Sequence, residues 1–94
     1  MATVYILFSK KLDRYYVGSC LDFDARFEEH LGRKNIVSFT AKAEDWILYY
    51  KIDGLQYKQA RNIEAHIKRM RSRKYIEYLQ LYPEIMKKLA DKFL

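Results

Sequence analysis

The stretch TVYILFSKKLDRYYVGS, residues 3–19, decides the fold because it predicts two strands joined by a short turn. Its flanks, Thr3–Ser9 and Tyr15–Ser19, are rich in β-branched and aromatic residues, which favour strands. The segment Lys10–Asp13 between them is polar and suits a turn. We therefore expect a β-hairpin at this position.

The length of the turn determines which side chains share a face of the hairpin. If the turn holds four residues, Ser9 pairs with Arg14 and Tyr5 lies opposite Gly18. Tyr5 and Tyr16 are then diagonal neighbours on one face, within reach of each other. A turn of odd length would put the two phenols on opposite faces. We expect the even turn.

Three further segments follow the hairpin. A helix is predicted from Asp22, as its N-cap, to Gly32, where it stops. Arg33–Asp45 is polar and irregular, which indicates a surface loop. Trp46–Asp53 is predicted to be the third strand, and its nearly continuous apolar run favours a central position in the sheet.

The remainder of the chain is helical in pattern. A helix is predicted from Leu55 to about Arg71, with an apolar stripe of Ala60, Ile63, Ile67 and Met70. Ser72 is the expected N-cap of a helix Arg73–Tyr82, and Pro83 begins the last helix. His66 lies on the far side of this helix from Glu64, and the sequence shows no visible partner for it.

These elements predict one α+β domain, with a small three-stranded antiparallel or mixed sheet flanked by helices in the order β-β-α-β-α-α and an extra C-terminal helix. A chain of 94 residues has room for one modest core. We divide it into residues 1–82, the functional unit, and residues 83–94, a helix packed on the same domain.

The charge balance favours an anionic partner. Eighteen Lys and Arg against twelve Asp and Glu give a net charge of +6. No apolar run approaches the roughly 18 residues of a membrane span, so we expect no membrane partner. The single cysteine, Cys20, cannot form an internal disulfide, which favours a cytoplasmic protein.

Tyr5, Tyr16 and Gly18 form the first candidate site. Tyrosines in strands most often contribute to packing. An interior glycine, however, weakens a strand and often marks close approach by a ligand or another backbone. Bare backbone at Gly18 beside two phenols therefore predicts a polar notch that admits a phosphate.

Arg26, His30 and Glu64 are the next candidates. Arg26 and His30 are one helical turn apart; an arginine binds phosphate oxygens and a histidine transfers protons near neutral pH. Glu64 is either an ion-pair partner of Lys68 at i+4 or a Mg²⁺ ligand. Both interpretations of Glu64 stay open at this point.

A cluster of basic residues marks the junction between two predicted helices. In the segment KRMRSRK it contains five charges: Lys68, Arg69, Arg71, Arg73 and Lys74. Such a cluster is either a solvated surface or a contact with the phosphate backbone of nucleic acid, and its density favours the second.

In order and spacing, several of these residues resemble the motifs of GIY-YIG nucleases. TVY, ten residues and then YVG resemble the paired motif that gives the family its name. Arg26, ten residues beyond Tyr16, matches the family's catalytic arginine, and His30 matches a histidine of many members. Glu64, in EAHIK, resembles the metal-binding glutamate. The resemblance covers about residues 3 to 80, and small standalone bacterial members are the most similar, with a domain like the N-terminal nuclease domain of excinuclease-type members.

The resemblance implies a Mg²⁺-dependent DNA endonuclease, with Mn²⁺ as an expected substitute, that is structure-preferring or weakly sequence-specific and works in DNA repair or recombination. Tyr5 is then the general base, with Tyr16 and His30 orienting or relaying the proton. Arg26 stabilises the charge on the phosphate, and Glu64 holds the metal.

Two alternatives stay open. The asparagine that many members place after the metal glutamate is not found here, which would suit a nucleic-acid-binding module without turnover. The other alternative is a protein-interaction domain that uses the aromatic surface and the last helix. A homodimer through that helix is a further open question.

Overall fold

A computed structural model describes residues 1–22 and 45–94 of the chain, and within them it contains three strands and three helices. They are β1 (Ala2–Ser9), β2 (Arg14–Cys20), β3 (Ile47–Leu55), α1 (Tyr57–Met70), α2 (Arg73–Leu81) and α3 (Pro83–Lys92). The predicted α+β class and three-stranded antiparallel sheet are confirmed. The predicted helix from Asp22 to Gly32 and the loop Arg33–Asp45 lie outside the described residues, except for Asp22 and Asp45 at their ends.

The strand order is β2-β1-β3, so β1 is the central strand of this sheet. The prediction that the third strand is central was wrong. The side chains of Ile47 and Leu48 are 58% and 37% exposed, whereas nearly every side chain of β1 is buried. An apolar run was therefore a poor guide to strand position, because β3 carries its run on an edge.

The hairpin has the predicted even register, with Ser9 opposite Arg14 and Tyr5 opposite Gly18. Asp13 closes the turn in the left-handed region, at φ 53°. The Arg73 guanidinium at the start of α2 donates to both carboxylate oxygens of Asp13, at 2.9 Å each. This bidentate pair ties the hairpin turn to the helical layer and lowers the pKa of the Asp13 carboxyl.

The main core lies between one face of the sheet and the three helices. The predicted stripe of α1 is confirmed at Ala60, Ile63 and Ile67 but not at Met70, which is 45% exposed. The helix ends there, because Arg71 adopts the left-handed conformation at φ 48°. The other buried members are Ala2, Val4, Ile6, Val17, Leu55, Ile76, Leu79, Met86 and Leu89.

The start of α1 also differs from the predicted one. Leu55 is the last residue of β3 and pairs with Ala2, so the helix begins two residues later, at Tyr57. Gln56 caps it, because its backbone N–H donates to the side chain of Gln59 at 3.0 Å. Gln59 in turn donates to the carbonyl oxygen of Ala90 at 2.6 Å, which attaches α3 to α1.

The two last helices begin at the predicted residues. The Ser72 hydroxyl accepts from the backbone N–H of Tyr75 at 3.1 Å, as expected of an N-cap, and Pro83 is the first residue of α3. His66, which has no visible partner in the sequence, has one in the structure, because its Nε2 lies 3.3 Å from the Tyr75 hydroxyl. The sequence placed His66 on the far side of α1 from Glu64 but could not show that α2 covers that side.

A second, smaller cluster lies on the opposite face of the sheet. Its buried members are Tyr5, Leu7, Cys20 and Trp46, of which Trp46 is only 2% exposed. Among residues 1–22 and 45–94, no helix has the length and apolar composition that a bilayer crossing requires.

Candidate active site

Gly18 lets the Tyr5 side chain cross the edge strand. Tyr5 projects from the central strand, and its ring lies directly over Gly18 of β2. A Cβ atom at position 18 would be only 2.5 Å from the Tyr5 hydroxyl oxygen and 2.6 Å from Cζ. Glycine is therefore required here so that the phenol reaches the outer edge of β2. A phosphate approaching Gly18 from this face would meet the phenol before the backbone.

Tyr16 lies on the same face, as the register requires. The ring centroids of Tyr5 and Tyr16 are 6.4 Å apart, and Tyr16 also packs edge-on against Trp46 at 6.3 Å. Trp46 is almost fully buried, so it holds one side of the Tyr16 ring in place. The two phenols therefore have fixed positions relative to each other.

Glu64 reaches the same edge from the helical side. Ser19 follows Gly18 in β2, and because neighbouring strand residues point to opposite faces, its side chain points towards α1. The Ser19 hydroxyl donates to Glu64 Oε1 at 2.5 Å. The Lys68 ammonium donates to Oε2 at 2.6 Å, so each carboxylate oxygen has a donor. The ion pair expected from the i, i+4 spacing of Glu64 and Lys68 is thus present.

A cavity of about 460 Å³ joins these groups at the edge of β2. It brings together four of the predicted site residues: Tyr5, Tyr16, Gly18 and Glu64. Asp22 also lines it. Arg26 and His30, the two other predicted catalytic residues, lie outside the described residues.

Two of the cavity residues that the sequence analysis missed lie on α1. Tyr57 and Arg61 both line it, and the Arg61 guanidinium donates to the Tyr57 hydroxyl at 3.0 Å. With Glu64 they occupy positions i, i+4 and i+7 of α1, which share one side of a helix. That spacing was the available signal. It places an exposed aromatic ring and a cation at the mouth of the cavity.

The donor atoms around Glu64 suit a hard divalent cation. The carboxylate shares its cavity with the phenol oxygens and with Asp22, and its two partners are the Ser19 hydroxyl and the Lys68 ammonium. No group of three or more His, Cys, Asp or Glu that could hold a metal ion occurs in residues 1–22 and 45–94. Mg²⁺ retains most of its water ligands and often takes one or two carboxylates, so a single glutamate fits it.

The basic cluster has three different environments. Lys68, Arg71 and Arg73 line a second cavity of about 550 Å³, adjacent to the first. Lys68 is paired with Glu64 and Arg73 with Asp13. Arg71, Arg69 and Lys74 are exposed and form no salt bridge within the part of the chain that the structure describes. Arg69 lies near His66, where it helps to lower the pKa of that imidazole, after burial and Lys92.

One comparison with known proteins finds a match. A family model described as the GIY-YIG catalytic domain matches residues 1–76, which include β1, β2, β3 and all of α1. No curated protein and no solved structure gives a significant match. The matched span contains Tyr5, Tyr16, Gly18 and Glu64 and ends before α3 begins.

Proposed function

Because the chain belongs to the GIY-YIG superfamily of nucleases, we propose that it is a DNA endonuclease that hydrolyses phosphodiester bonds with the help of Mg²⁺. The observation that carries the proposal is the meeting of Tyr5, Tyr16 and Glu64 in one cavity at the edge of β2. Two phenols and a carboxylate from different elements supply proton transfer and cation binding within reach of one phosphate.

Each residue has a proposed role. Tyr5 is the general base for the attacking water, and Tyr16 and His30 orient it or relay the proton. Arg26 stabilises the negative charge that develops on the phosphate. Glu64 holds the cation, and bound Mg²⁺ would polarise the phosphate and stabilise the leaving oxygen. In-line attack leaves 5′-phosphate and 3′-hydroxyl ends, as the family resemblance implies.

The substrate preference follows from what the chain offers for contact. The exposed cations near the cavity suit a phosphate backbone, which carries no base information. We therefore propose weak sequence specificity and a preference for the shape of the DNA.

A role in DNA repair or recombination and a cytoplasmic location remain predictions, as does the division at residue 82. The burial of Met86 and Leu89 in the common core supports treating α3 as part of one body. It gives no support to a homodimer through that helix.

A plasmid-nicking assay with Glu64→Gln tests the proposal. Gln retains the size and helix propensity of Glu but lacks the charge that binds the cation. We expect nicking by the wild type in Mg²⁺, none in EDTA, and none by the variant. Glu84→Gln is the matched control, because Glu84 is an exposed carboxylate in the first turn of α3 and lies outside the cavity. Nicking by Glu64→Gln at the wild-type rate would remove Glu64 from the mechanism.

A DNA-binding module without turnover is the second candidate. It is favoured by the observation that both Glu64 oxygens already have donors, Ser19 and Lys68. This candidate predicts salt-dependent DNA binding with no Mg²⁺-dependent nicking. The same assay, combined with a binding measurement at low salt, separates the two.

A further inference from the structure

We infer that Lys68 is a positioning residue with two partners: it neutralises Glu64 in the free protein, and it moves to a neighbouring phosphate of bound DNA when a divalent cation takes Glu64. The second partner rests on the proposed function, whereas the competition with the cation does not. Lys68 thereby makes the cation and the phosphate backbone bind cooperatively.

The contacts of Glu64 require such an exchange. The Lys68 Nζ atom lies 2.6 Å from Glu64 Oε2, in contact with the oxygen that faces it. A divalent cation on the same carboxylate would be held within a few ångströms of the ammonium. Repulsion between these charges is strong at that distance in a partly buried site. The ammonium must therefore leave before the cation binds well, while the Ser19 hydroxyl, being neutral, can stay.

Differences in exposure show which partner moves. The Glu64 side chain is 17% exposed and is held on its other oxygen by Ser19, whereas the Lys68 side chain is 52% exposed. A lysine carries its charge on a flexible four-carbon stem. The carboxylate is thus the fixed group and the ammonium the mobile one, and the exchange needs no movement of α1.

The second cavity offers the ammonium its other position. Lys68 lines this cavity together with Arg14 and Arg71, and its Nζ atom lies 6.0 Å from the centroid of the Tyr16 ring. Tyr16 lines both cavities, so Lys68 stands at the boundary between them. A short rotation of its stem carries the charge from one cavity to the other.

The charges of the second cavity determine when this rotation occurs. Asp13 and Arg73 also line this cavity, but they are paired with each other. Arg14 and Arg71 repel a third cation, so Lys68 stays at Glu64 until a phosphate enters the cavity. A phosphate next to the cleaved one would draw the Lys68 ammonium into the second cavity. Its negative charge attracts all three cations and offsets the repulsion between them. Cation binding at Glu64 and phosphate binding at Lys68 therefore favour each other, as linked equilibria must.

Binding of Mn²⁺ alone, by titration calorimetry, tests the competition. We expect Lys68→Met to bind Mn²⁺ about tenfold more tightly than the wild type, within the usual range for coupled sites. Arg61→Met is the matched control. It removes the same charge from the same helix, and Arg61 lines the cavity that contains Glu64, but its guanidinium contacts Tyr57 and not Glu64. Its effect should be clearly smaller.

The inference would be overturned if Lys68→Met and Arg61→Met gained Mn²⁺ affinity equally. It would also be overturned if Lys68→Met gained none. If Lys68 had only a structural role, its removal would not raise the Mn²⁺ affinity more than the removal of Arg61 does. Lys68→Gln, which keeps a polar side chain on the helix, should repeat the gain, and a melting curve checks that each variant is folded. Because this titration contains no DNA, its result stands whether or not the chain cleaves DNA.

A second measurement tests the phosphate partner. Fluorescence anisotropy with a short duplex carrying non-hydrolysable phosphate linkages should show that Mn²⁺ tightens binding to the wild type. The same ion should give less tightening with Lys68→Met. If Lys68→Met binds Mn²⁺ more tightly but loses none of this effect on the duplex, the phosphate half of the inference is wrong.

Discussion

A glycine is required at position 18 because the Tyr5 side chain of the next strand occupies the space of a side chain there, and not because of the backbone conformation of Gly18. The ring of Tyr5, which is only 1% exposed, fills the space where a side chain at position 18 would lie. The register that sets these residues opposite each other could be predicted from the alternation of the hairpin and the length of its turn. The direction of the ring could not, because alternation fixes the face of a side chain and not its course across a neighbouring strand.

Gly18→Ala should abolish most cleavage. The new Cβ would lie 2.5 Å from the Tyr5 hydroxyl oxygen, so the Tyr5 ring must move away from its position over residue 18. Displacing a reacting group by about 1 Å costs roughly 100-fold in rate, and overpacking costs about 1–3 kcal/mol of stability. A nicking assay and a denaturant melt measure the two effects.

Gly54→Ala is the control for that substitution. It introduces the same methyl group into the sheet with nothing within 4 Å, but at φ +74°, so it costs stability through the backbone alone. We expect a less stable protein with nearly wild-type cleavage after correction for the folded fraction. If both glycine variants lose cleavage in proportion to stability, Gly18 has no particular part in the site.

At the scale of elements, the prediction of the central strand failed because central and edge strands can carry the same apolar pattern. A continuous apolar run is expected of a strand buried on both faces, and both β1 and Trp46–Asp53 have one. Pairing decides between them: among the strands of residues 1–22 and 45–94, β1 bonds to both of the others and β3 bonds to β1 alone. Local signals fared better, since the cap at Ser72 and the proline start of α3 depend on neighbouring residues alone.

The junction of the three helices should be sensitive to pH through His66. Its ring contacts Tyr75 of α2 and Phe93 just after α3, and burial, then Lys92 and Arg69, lower its pKa. The folded state therefore favours the neutral ring. Stability is full above the unfolded pKa, about 6.5, and is lost as the pH falls from there through the lower folded value.

We expect the melting temperature to fall between pH 7.5 and 5.5, and to fall less in His66→Gln. Each kcal/mol lost is worth about 4–8 °C for a domain of this size. Gln keeps a group that can bond to the Tyr75 hydroxyl but does not titrate. The aspartates with lowered pKa values, among them Asp13 and Asp53, lose their charge at lower pH and do not affect this window. Parallel curves for the two proteins would contradict the assignment.

For the molecule as a whole, the pairing of charges matters more than their number. Asp13 and Arg73 are 60 positions apart and form a bidentate pair. Sequence spacing reveals partners one helical turn apart, such as Glu64 and Lys68, but not partners that the fold brings together. For that reason the cluster could be recognised from the sequence as basic, while the engagement of Arg73 could not.

Salt dependence of DNA binding should distinguish Arg71 from Arg73. Each phosphate contact contributes a slope of about −0.9 in log K against log salt on duplex DNA. Arg71→Ala should flatten the slope by about that amount. Arg73→Ala removes the same charge but should leave the slope almost unchanged, because Asp13 already occupies that guanidinium. Equal flattening in the two variants would show that Arg73 leaves Asp13 to contact DNA.

The central place of β1 has a consequence for how the chain folds as it is synthesised. β1 and β2 are close in the chain and can pair while the ribosome is still translating. The other edge of β1 pairs with Ile47–Leu55, so its backbone groups stay unpaired on the nascent chain until that segment has been synthesised. An open strand edge is a template for pairing with a second chain. A truncated chain that ends before Ile47 should therefore aggregate on the ribosome or soon after release, and would not yield a soluble hairpin.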